Sequence, residues 1–269
     1  MTMIELSFLS VARFSGPDAG SFLQAQLSAD IAVLASGKAA FACYCSPRGQ
    51  VISLLLVCRE GDEYLVAGAS ALLPAVLRRL GMFVLRSKVE FAIQSGMKIF
   101  GQAVEDPPSI GGSVFKPEAV GLAYLLSDQP QLANGSEDDW KLMELNNNVT
   151  WLEPATSEKF IPQMLGFDNI GAVSFSKGCY PGQEIVARAR YLGKVKRKPL
   201  LVATAQELWV EPGQTIELLR AEQWTAATVV DSVFVRDTGT LLFTVAPEKP
   251  EDTPSRVRYG AHDYLCATI

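Results

Sequence analysis

The sequence predicts an α+β fold, in which strands and helices are grouped rather than strictly alternating. Apolar runs at residues 41–45 and 51–58 predict two buried strands, and an apolar stripe that ends at Gly81 predicts a helix. Because the predicted helices are separated by several consecutive strands, the pattern favours α+β layers over a doubly wound sheet. After Pro199 the chain changes to short strands separated by turn residues, which predicts a small C-terminal β-barrel or sandwich.

The N-terminal half is expected to begin with a strand at residues 6–14 and a helix that Ser15 caps. The two buried strands are joined by Ser46-Pro47-Arg48-Gly49. This segment has the residues that a type I turn prefers, with Ser first, Pro second and Gly last. Polar residues 129–139 predict a loop that leads into a helix at Trp140. Further strands are expected at residues 64–66, 89–93 and 98–104.

The composition is typical of a globular protein, and we expect a cytoplasmic location. Of the 269 residues, 48% are hydrophobic and 20% are charged. The longest apolar run is far shorter than a membrane span, and the N-terminus lacks the pattern of a signal or transit peptide. Five cysteines at irregular spacing predict reduced thiols rather than a disulfide framework. With a single histidine, we expect neither a permanently bound metal nor a Ser-His-Asp triad.

The most informative segment is residues 176–184, which combines a thiol, a cation, a carboxylate and two glycines. Pro181 is expected to be the first helical residue, so Cys179 would lie just ahead of a helix N-terminus, where the dipole favours a thiolate. The charges of Lys177 and Arg188 would favour the thiolate too, whereas Glu184 would oppose it. These four residues are the candidate catalytic groups, with Cys179 as the reactive thiol. The alternative is that Cys179 is a small buried hydrophobic residue.

This segment resembles the KGCYxGQE signature of the YgfZ family, and all seven specified positions match. The resemblance extends upstream to residues 160–163 and downstream to residues 185–188 and 191–197. Residues 15–30 are also similar to the opening helix that YgfZ shares with the glycine-cleavage aminomethyltransferases (GcvT). The resemblance implies folate binding and a role in iron–sulfur cluster assembly or repair and in tRNA modification.

The resemblance also implies an architecture of two intertwined ferredoxin-like α+β units and a small C-terminal β-barrel around a central cleft. The first unit would comprise residues 1–45 with 140–195 and would carry the signature. The second would comprise residues 46–139, and the barrel residues 196–269. The residues expected to bind a reduced folate such as tetrahydrofolate are Trp140, Glu144, Asn146, Tyr180, Gly182 and Gln183. Trp140 has an equally weighted alternative role, which is to cover a domain junction.

Two departures from the aminomethyltransferases count against aminomethyl transfer. Ser53 and Leu54 replace the acidic catalytic pair, and a leucine cannot exchange a proton with a folate nitrogen. Asn146 replaces a glutamate that binds the pterin. The leading hypothesis is therefore a folate-binding accessory protein. The alternatives are a folate-dependent one-carbon transferase acting on another substrate, and a structural module with a degenerate pocket.

A basic segment follows the signature in a chain whose net charge is -5. Local basicity predicts an anionic partner such as a folate polyglutamate tail, a phosphate or an RNA backbone, although a solvated helix end explains it equally well. Direct RNA binding is not expected, because the chain is acidic overall and lacks an RNA-binding motif. Iron–sulfur enzymes or assembly proteins are the expected clients, and no membrane contact is expected. The basic residues are Arg188, Arg190, Lys194, Lys196, Arg197 and Lys198.

Overall fold

The structure is a computed structural model that describes residues 3–103, 112–191, 193, 195–236, 239–248 and 253–267. Its N-terminal elements are β1 (Met3–Glu5), β2 (Leu9–Ser15), α1 (Ala19–Gln26), β3 (Ala39–Cys45), β4 (Val51–Glu60), β5 (Glu63–Ala69), α2 (Leu73–Gly81), β6 (Glu90–Ile93), β7 (Lys98–Ala103), β8 (Ser113–Phe115) and β9 (Leu122–Ser127). They are followed by α3 (Glu137–Asn146), a 3-10 turn (Pro162–Met164), α4 (Gln183–Tyr191), β10 (Arg197–Thr204), β11 (Thr215–Arg220), β12 (Gln223–Val235), β13 (Gly239–Pro247), β14 (Arg256–Tyr259) and β15 (His262–Ala267).

The strands of the described residues form two open sheets and a barrel. One sheet has five strands in the order β3-β4-β5-β2-β6, and the other has four in the order β1-β7-β9-β8. Strands β10 to β15 form a closed barrel in the order β10-β13-β12-β11-β14-β15. The α+β class and the C-terminal β-barrel predicted from the sequence are therefore confirmed.

The central strand of the five-stranded sheet is buried on both faces. Along β4, Leu55 and Val57 face a core shared with helices α1 and α2, whereas Leu54 and Leu56 face a second core. The second core also includes Trp140 from α3 and residues of the barrel, such as Phe243. Burial on both faces explains why the sequence of β4 is a continuous apolar run. The sheet therefore lies between helices α1 and α2 on one side and the second core on the other.

The β3–β4 hairpin follows the sequence prediction. The backbone N–H of Gly49 donates to the Ser46 carbonyl at 2.8 Å, which closes the expected turn. Next to the turn, a β-bulge between Tyr44 and Cys45 shifts the strand register. The hairpin tip lies at one end of the sheet, where Gly49 contacts Gly182 in the loop before α4.

Several predicted boundaries were wrong. Ser15 does not cap α1, because it ends β2 and pairs with Glu90 of β6. The helix begins after Asp18, whose carboxylate accepts from the Lys88 N–H at 2.7 Å. Helix α3 begins before Trp140, because Ser136 caps it by accepting from the Asp138 N–H. In the predicted strand at residues 98–104, residue 104 lies outside the described residues.

The predicted division into two intertwined units does not follow the strand pairing. The boundary between residues 45 and 46 falls inside the β3–β4 hairpin, whose two strands are neighbours in one sheet. The four-stranded sheet instead combines β1 with strands from residues 98–127. Among the described helices, none combines the length and the apolar character that a membrane span requires.

Candidate functional site

Residues 174–182, which contain most of the signature, form the loop before helix α4, and we call them the signature loop. This loop leads into α4 differently from the prediction. The helix begins at Gln183 rather than at Pro181, because Gly182 adopts a left-handed conformation with φ +82°. The Gly182 carbonyl then accepts from the N–H groups of Ile185 and Val186 at 3.2 Å each. Cys179 therefore lies four residues before the first residue of the helix. The predicted helix start at Pro181, which would have placed Cys179 next to the helix N-terminus, was wrong.

Gly182 has no room for a side chain, because the β3–β4 turn packs directly against it. A Cβ atom on Gly182 would lie 2.7 Å from the Cα of Gly49 and 2.8 Å from its backbone nitrogen. Gly49 also has a left-handed conformation, with φ +74°, and faces the Ile185 side chain. The two glycines thus fix the signature loop to the hairpin tip, and Gly182 has a structural reason for being glycine.

Lys177 anchors the same loop to the end of α1. Its Nζ donates to the carbonyl oxygens of Gln24, Leu27 and Ala29 at 2.6, 2.7 and 2.8 Å. Burial lowers the pKa of Lys177 to about 8, and the carboxylate of Asp30 acts in the opposite direction. Because all three ammonium hydrogens are used by the main chain, Lys177 holds the loop in place. This structural role was not predicted.

Cys179 is exposed, which contradicts the alternative that it is a buried hydrophobic residue. Cys43, Cys45 and Cys58 are buried, and Cys266 is half-buried. Burial raises the pKa of the Cys43 and Cys58 thiols well above the usual range, and it raises the pKa of Cys266 to about 11. Cys179 is therefore the most accessible of the five thiols.

Tyr180 and Gln183 lie on the inner side of the loop. Burial raises the pKa of the Tyr180 phenol, and the nearby thiols of Cys45 and Cys43 add to this effect. The Tyr180 ring also lies 5.5 Å from the Lys177 Nζ. Gln183 donates from Nε2 to the Lys177 carbonyl at 3.3 Å. Both side chains therefore support the loop from within.

The other two candidate catalytic residues pair with each other on the outer face of α4. Arg188 and Glu184 form an ion pair of 3.4 Å, one helical turn apart, and both side chains are exposed. On the inner face, Val186 is fully buried and its carbonyl accepts from Gln163 Nε2 at 2.7 Å. Glu184 and Arg188 are therefore available to a partner at the surface.

Trp140 was expected either to stack on a ligand or to cover a junction, and its position supports the second role. It has no exposed surface, and its ring contacts Tyr124 edge-to-face with centroids 5.5 Å apart. The ring also covers Gly101, where a Cβ atom would lie 2.5 Å from the indole Cε2. Trp140 packs α3 onto the four-stranded sheet and has no free face for a pterin.

Glu144 is a buried carboxylate on the same helix. Its Oε1 accepts from the Tyr124 hydroxyl at 2.8 Å and from Trp151 Nε1 at 2.9 Å. Burial raises the pKa of Glu144 to about 7, although the two hydrogen bonds oppose this effect. The group can therefore exchange a proton near neutral pH.

Glu144 lines a cavity of about 380 Å³ between α3, the β5–α2 connection and the barrel. Lys141 forms a 2.6 Å ion pair there with the buried carboxylate of Asp231 from β12. Burial raises the pKa of Asp231 and of Glu153, which also lines the cavity. Lys141, Asp231, Trp151 and Glu153 were not predicted, because β12 and the segment after α3 are brought to this point only by the fold.

The remaining predicted residues lie elsewhere. Asn146 is exposed at the end of α3 and does not line the cavity. Ser53 and Leu54 are both buried in β4, where the Ser53 hydroxyl donates to the carbonyl of Leu54 at 3.0 Å. Neither position offers a carboxylate. The predicted folate residues are therefore not brought together, and only Glu144 of that set lines the cavity.

The basic segment is also divided by the structure. Arg197 points into the barrel wall, where it donates to Thr228 Oγ1 at 3.0 Å and to the Val245 carbonyl at 2.9 Å. Arg190 instead lies over the Phe175 ring at 4.2 Å from its centroid. Lys194 lies outside the described residues. The described part of α4 thus carries two of the six predicted cations, Arg188 and Arg190.

The chain is similar in sequence to curated proteins over nearly its whole length. No protein-family model matches the chain. An uncharacterized protein of Haemophilus influenzae is 29% identical over 260 residues, which cover 95% of this chain and 92% of that protein. The tRNA-modifying protein YgfZ of Escherichia coli is 28% identical over 295 aligned positions, which cover 97% of this chain and 90% of that protein.

A solved structure has the same fold. The glycine cleavage system aminomethyltransferase T from Bartonella henselae superposes with a TM-score of 0.65 at 12% sequence identity, covering 98% of this chain and 84% of that chain. The chain is therefore similar over nearly its whole length to the tRNA-modifying protein YgfZ of E. coli, and it has the fold of the aminomethyltransferase GcvT.

Proposed function

We propose that this protein supports tRNA modification and that Cys179 is its reactive group. The role in tRNA modification is proposed because the similar E. coli protein is named a tRNA-modifying protein. The observation that carries it is the exposure of Cys179 on a loop that Lys177 and Gly182 fix in place. A reactive thiol needs both access and a defined position, and this loop provides both.

We propose in addition that the clients are iron–sulfur enzymes, including those that modify tRNA. A stable cluster usually takes four cysteine ligands, whereas Cys179 is a single exposed thiol. Such a thiol can serve as a transient ligand, a redox group or a nucleophile, so an accessory role in cluster assembly or repair fits better than a role as a cluster carrier. A cytoplasmic location would follow from this function.

Complementation tests this proposal. In an E. coli strain that lacks its own YgfZ, the wild-type chain should restore the modified nucleosides of total tRNA, measured by mass spectrometry against an empty vector. Immunoblotting and thermal unfolding of the purified protein would show that the chain accumulates and folds. If a folded and abundant chain restored no nucleoside, the proposed function would be wrong.

A reduced folate is the ligand that we propose for the cavity beside Glu144. The shared fold supports this, and the volume of about 380 Å³ is in the range of small-molecule sites. A pterin ring presents N–H donors, which the carboxylates of Glu144 and Glu153 can accept, and Trp151 offers an aromatic wall. When bound, the folate would supply or accept a one-carbon unit. Ser53 and Leu54 provide no acid or base for aminomethyl transfer, so binding rather than that reaction is proposed.

Calorimetric titration with 5-formyltetrahydrofolate, a stable reduced folate, tests the ligand. Wild type should show saturable binding, and Glu144→Gln should weaken it about tenfold, because a charge-assisted hydrogen bond is lost. Glu118→Gln, which removes an exposed carboxylate that does not line this cavity, is the matched control and should bind like wild type. Absence of saturable heat from wild type, or equal affinity of Glu144→Gln, would exclude the proposed folate site.

A further inference from the structure

The exposed residues of α4 and the adjacent hairpin tip flank the loop that carries Cys179, because Gly49 of the tip contacts Gly182 and Ile185. On α4, Glu184, Ile185, Arg188 and Tyr191 recur at helical spacing and are exposed. The contact of Gly182 with Gly49 brings the exposed Arg48 next to the signature loop. We call this set, together with Cys179 and Arg190, the Cys179 surface.

The Cys179 surface is positively charged, although the chain as a whole has a net charge of -5. Arg48, Arg188 and Arg190 are exposed on it, whereas Glu184 is its single carboxylate and already pairs with Arg188. Charges of one sign on an otherwise oppositely charged protein favour a partner of complementary charge. The partner of this surface is therefore expected to be acidic.

The arginine and aromatic side chains at the end of α4 are held in place. The guanidinium of Arg190 lies 4.2 Å from the Phe175 ring centroid, and Phe175 contacts Tyr191 edge-to-face with centroids 6.2 Å apart. Phe175 itself packs against the second core, which contains Trp140 and Phe243. Because these groups are already ordered, a partner that binds them loses less conformational entropy. Arginine and tyrosine in such positions are also the residues that most often dominate protein interfaces.

From these observations we propose that the Cys179 surface is the docking site for an acidic protein, whose own reactive or metal-binding group it brings to the Cys179 thiol. The exposed apolar side chains of Ile185 and Tyr191 favour a protein over RNA, because a phosphate backbone would leave them without apolar contacts. This inference rests on the proposed function and names the surface through which the client would bind.

Charge reversal tests the docking site in the E. coli complementation assay. The double variant Arg188→Glu with Arg190→Glu should lower the restored tRNA modification by about tenfold, because like charges would then face the acidic partner. Arg86→Glu, which reverses an exposed arginine in the loop after α2, is the matched control and should restore modification like wild type. The rate of Cys179 alkylation in each purified variant shows whether the thiol remains accessible. Full restoration by a folded double variant would overturn the docking site.

Photo-crosslinking identifies the chemistry of the partner. With p-benzoylphenylalanine in place of Tyr191, the crosslinked peptide should come from an acidic protein segment, and the crosslink should disappear after the double charge reversal but not after Arg86→Glu. Crosslinking to RNA, or a crosslink that charge reversal leaves unchanged, would overturn the proposal. Failure of the wild-type chain to complement would instead contradict the proposed function, so the two failures are distinguishable.

Discussion

Gly182 and Gly49 lie against each other, each in a left-handed conformation, with Gly49 Cα only 2.7 Å from where a Cβ on Gly182 would be. This contact joins the tip of the β3–β4 hairpin to the start of α4. Lys177 holds the preceding part of the loop on the end of α1. Cys179 lies between these two attachments, so its exposure is a feature of a fixed loop.

Replacement of Gly182 by alanine should destabilise the protein more than replacement of a glycine in open space. Gly61 is the matched control, because it also has a positive φ, +61°, but a Cβ there would contact nothing within 4 Å. Gly61→Ala should cost about 1–2 kcal/mol from the left-handed backbone alone. Gly182→Ala should cost at least about 3 kcal/mol, since backbone atoms must also move. Urea unfolding gives both values, and equal losses would contradict the packing described for Gly182.

Removal of the Lys177 ammonium should lower stability and loosen the signature loop. Lys177→Met leaves two buried carbonyl groups and one partly buried carbonyl group without their donor, which should cost about 3 kcal/mol in the free energy of unfolding. Lys38→Met, at an exposed position, should change it by less than about 0.5 kcal/mol. Hydrogen exchange should also become faster in residues 174–182 of Lys177→Met. Unchanged exchange in that segment would show that Lys177 does not anchor the loop.

Glu144 should make the stability of the protein depend on pH between about 4.5 and 7. Its pKa rises from 4.5 to about 7 on folding because of burial, so the folded state binds the extra proton in this range. The stabilisation is therefore complete below about pH 4.5 and is lost as the pH rises through 7. A shift of this size corresponds to about 3 kcal/mol.

Comparison with Glu144→Gln isolates this contribution from other carboxylates. The difference in unfolding free energy between wild type and Glu144→Gln should move in favour of the variant as the pH rises from 4.5 to 7, and should then remain constant. Urea unfolding at several pH values measures the difference. Parallel stability curves for the two proteins would contradict a raised pKa at Glu144.

Cys179 should be the first thiol to react in the folded protein. A brief treatment with iodoacetamide should alkylate Cys179, whereas Cys43, Cys45 and Cys58 should react only after unfolding, because they are buried. Cys266, which is half-buried, should react at an intermediate rate. Peptide mass spectrometry assigns each site. Alkylation of Cys43 or Cys58 before Cys179 would be incompatible with the described packing.

Local chemistry predicted some features of the fold correctly. The Ser46–Gly49 turn and the two strands that it joins could be predicted, because turn preferences and apolar runs are local properties of the chain. The start of α4 could not be predicted from local sequence. It depends on the left-handed conformation in which Gly182 packs against Gly49, and Gly49 lies 133 positions earlier in the chain. Proline at position 181 is compatible with a helix start but does not determine it.

The candidate site was predictable to a similar extent. Residues 176–184 could be selected as the candidate site from their unusual composition, but the direction of each side chain depends on tertiary contacts. Lys177 points to the carbonyls at the end of α1 rather than to a ligand, and Trp140 is fully covered. The ion pair of Lys141 with Asp231 joins α3 to the barrel and has no local signal in the sequence.

A comparison of two cysteine variants tests the proposed role of the Cys179 thiol. In the E. coli strain that lacks YgfZ, Cys266→Ser should restore the modified tRNA nucleosides like wild type, whereas Cys179→Ser should restore none of them. Both substitutions remove one thiol at a position that is not fully buried, so both variants should fold. Loss of activity in Cys179→Ser alone would support the proposed role of this thiol, and full restoration by a folded Cys179→Ser variant would contradict it.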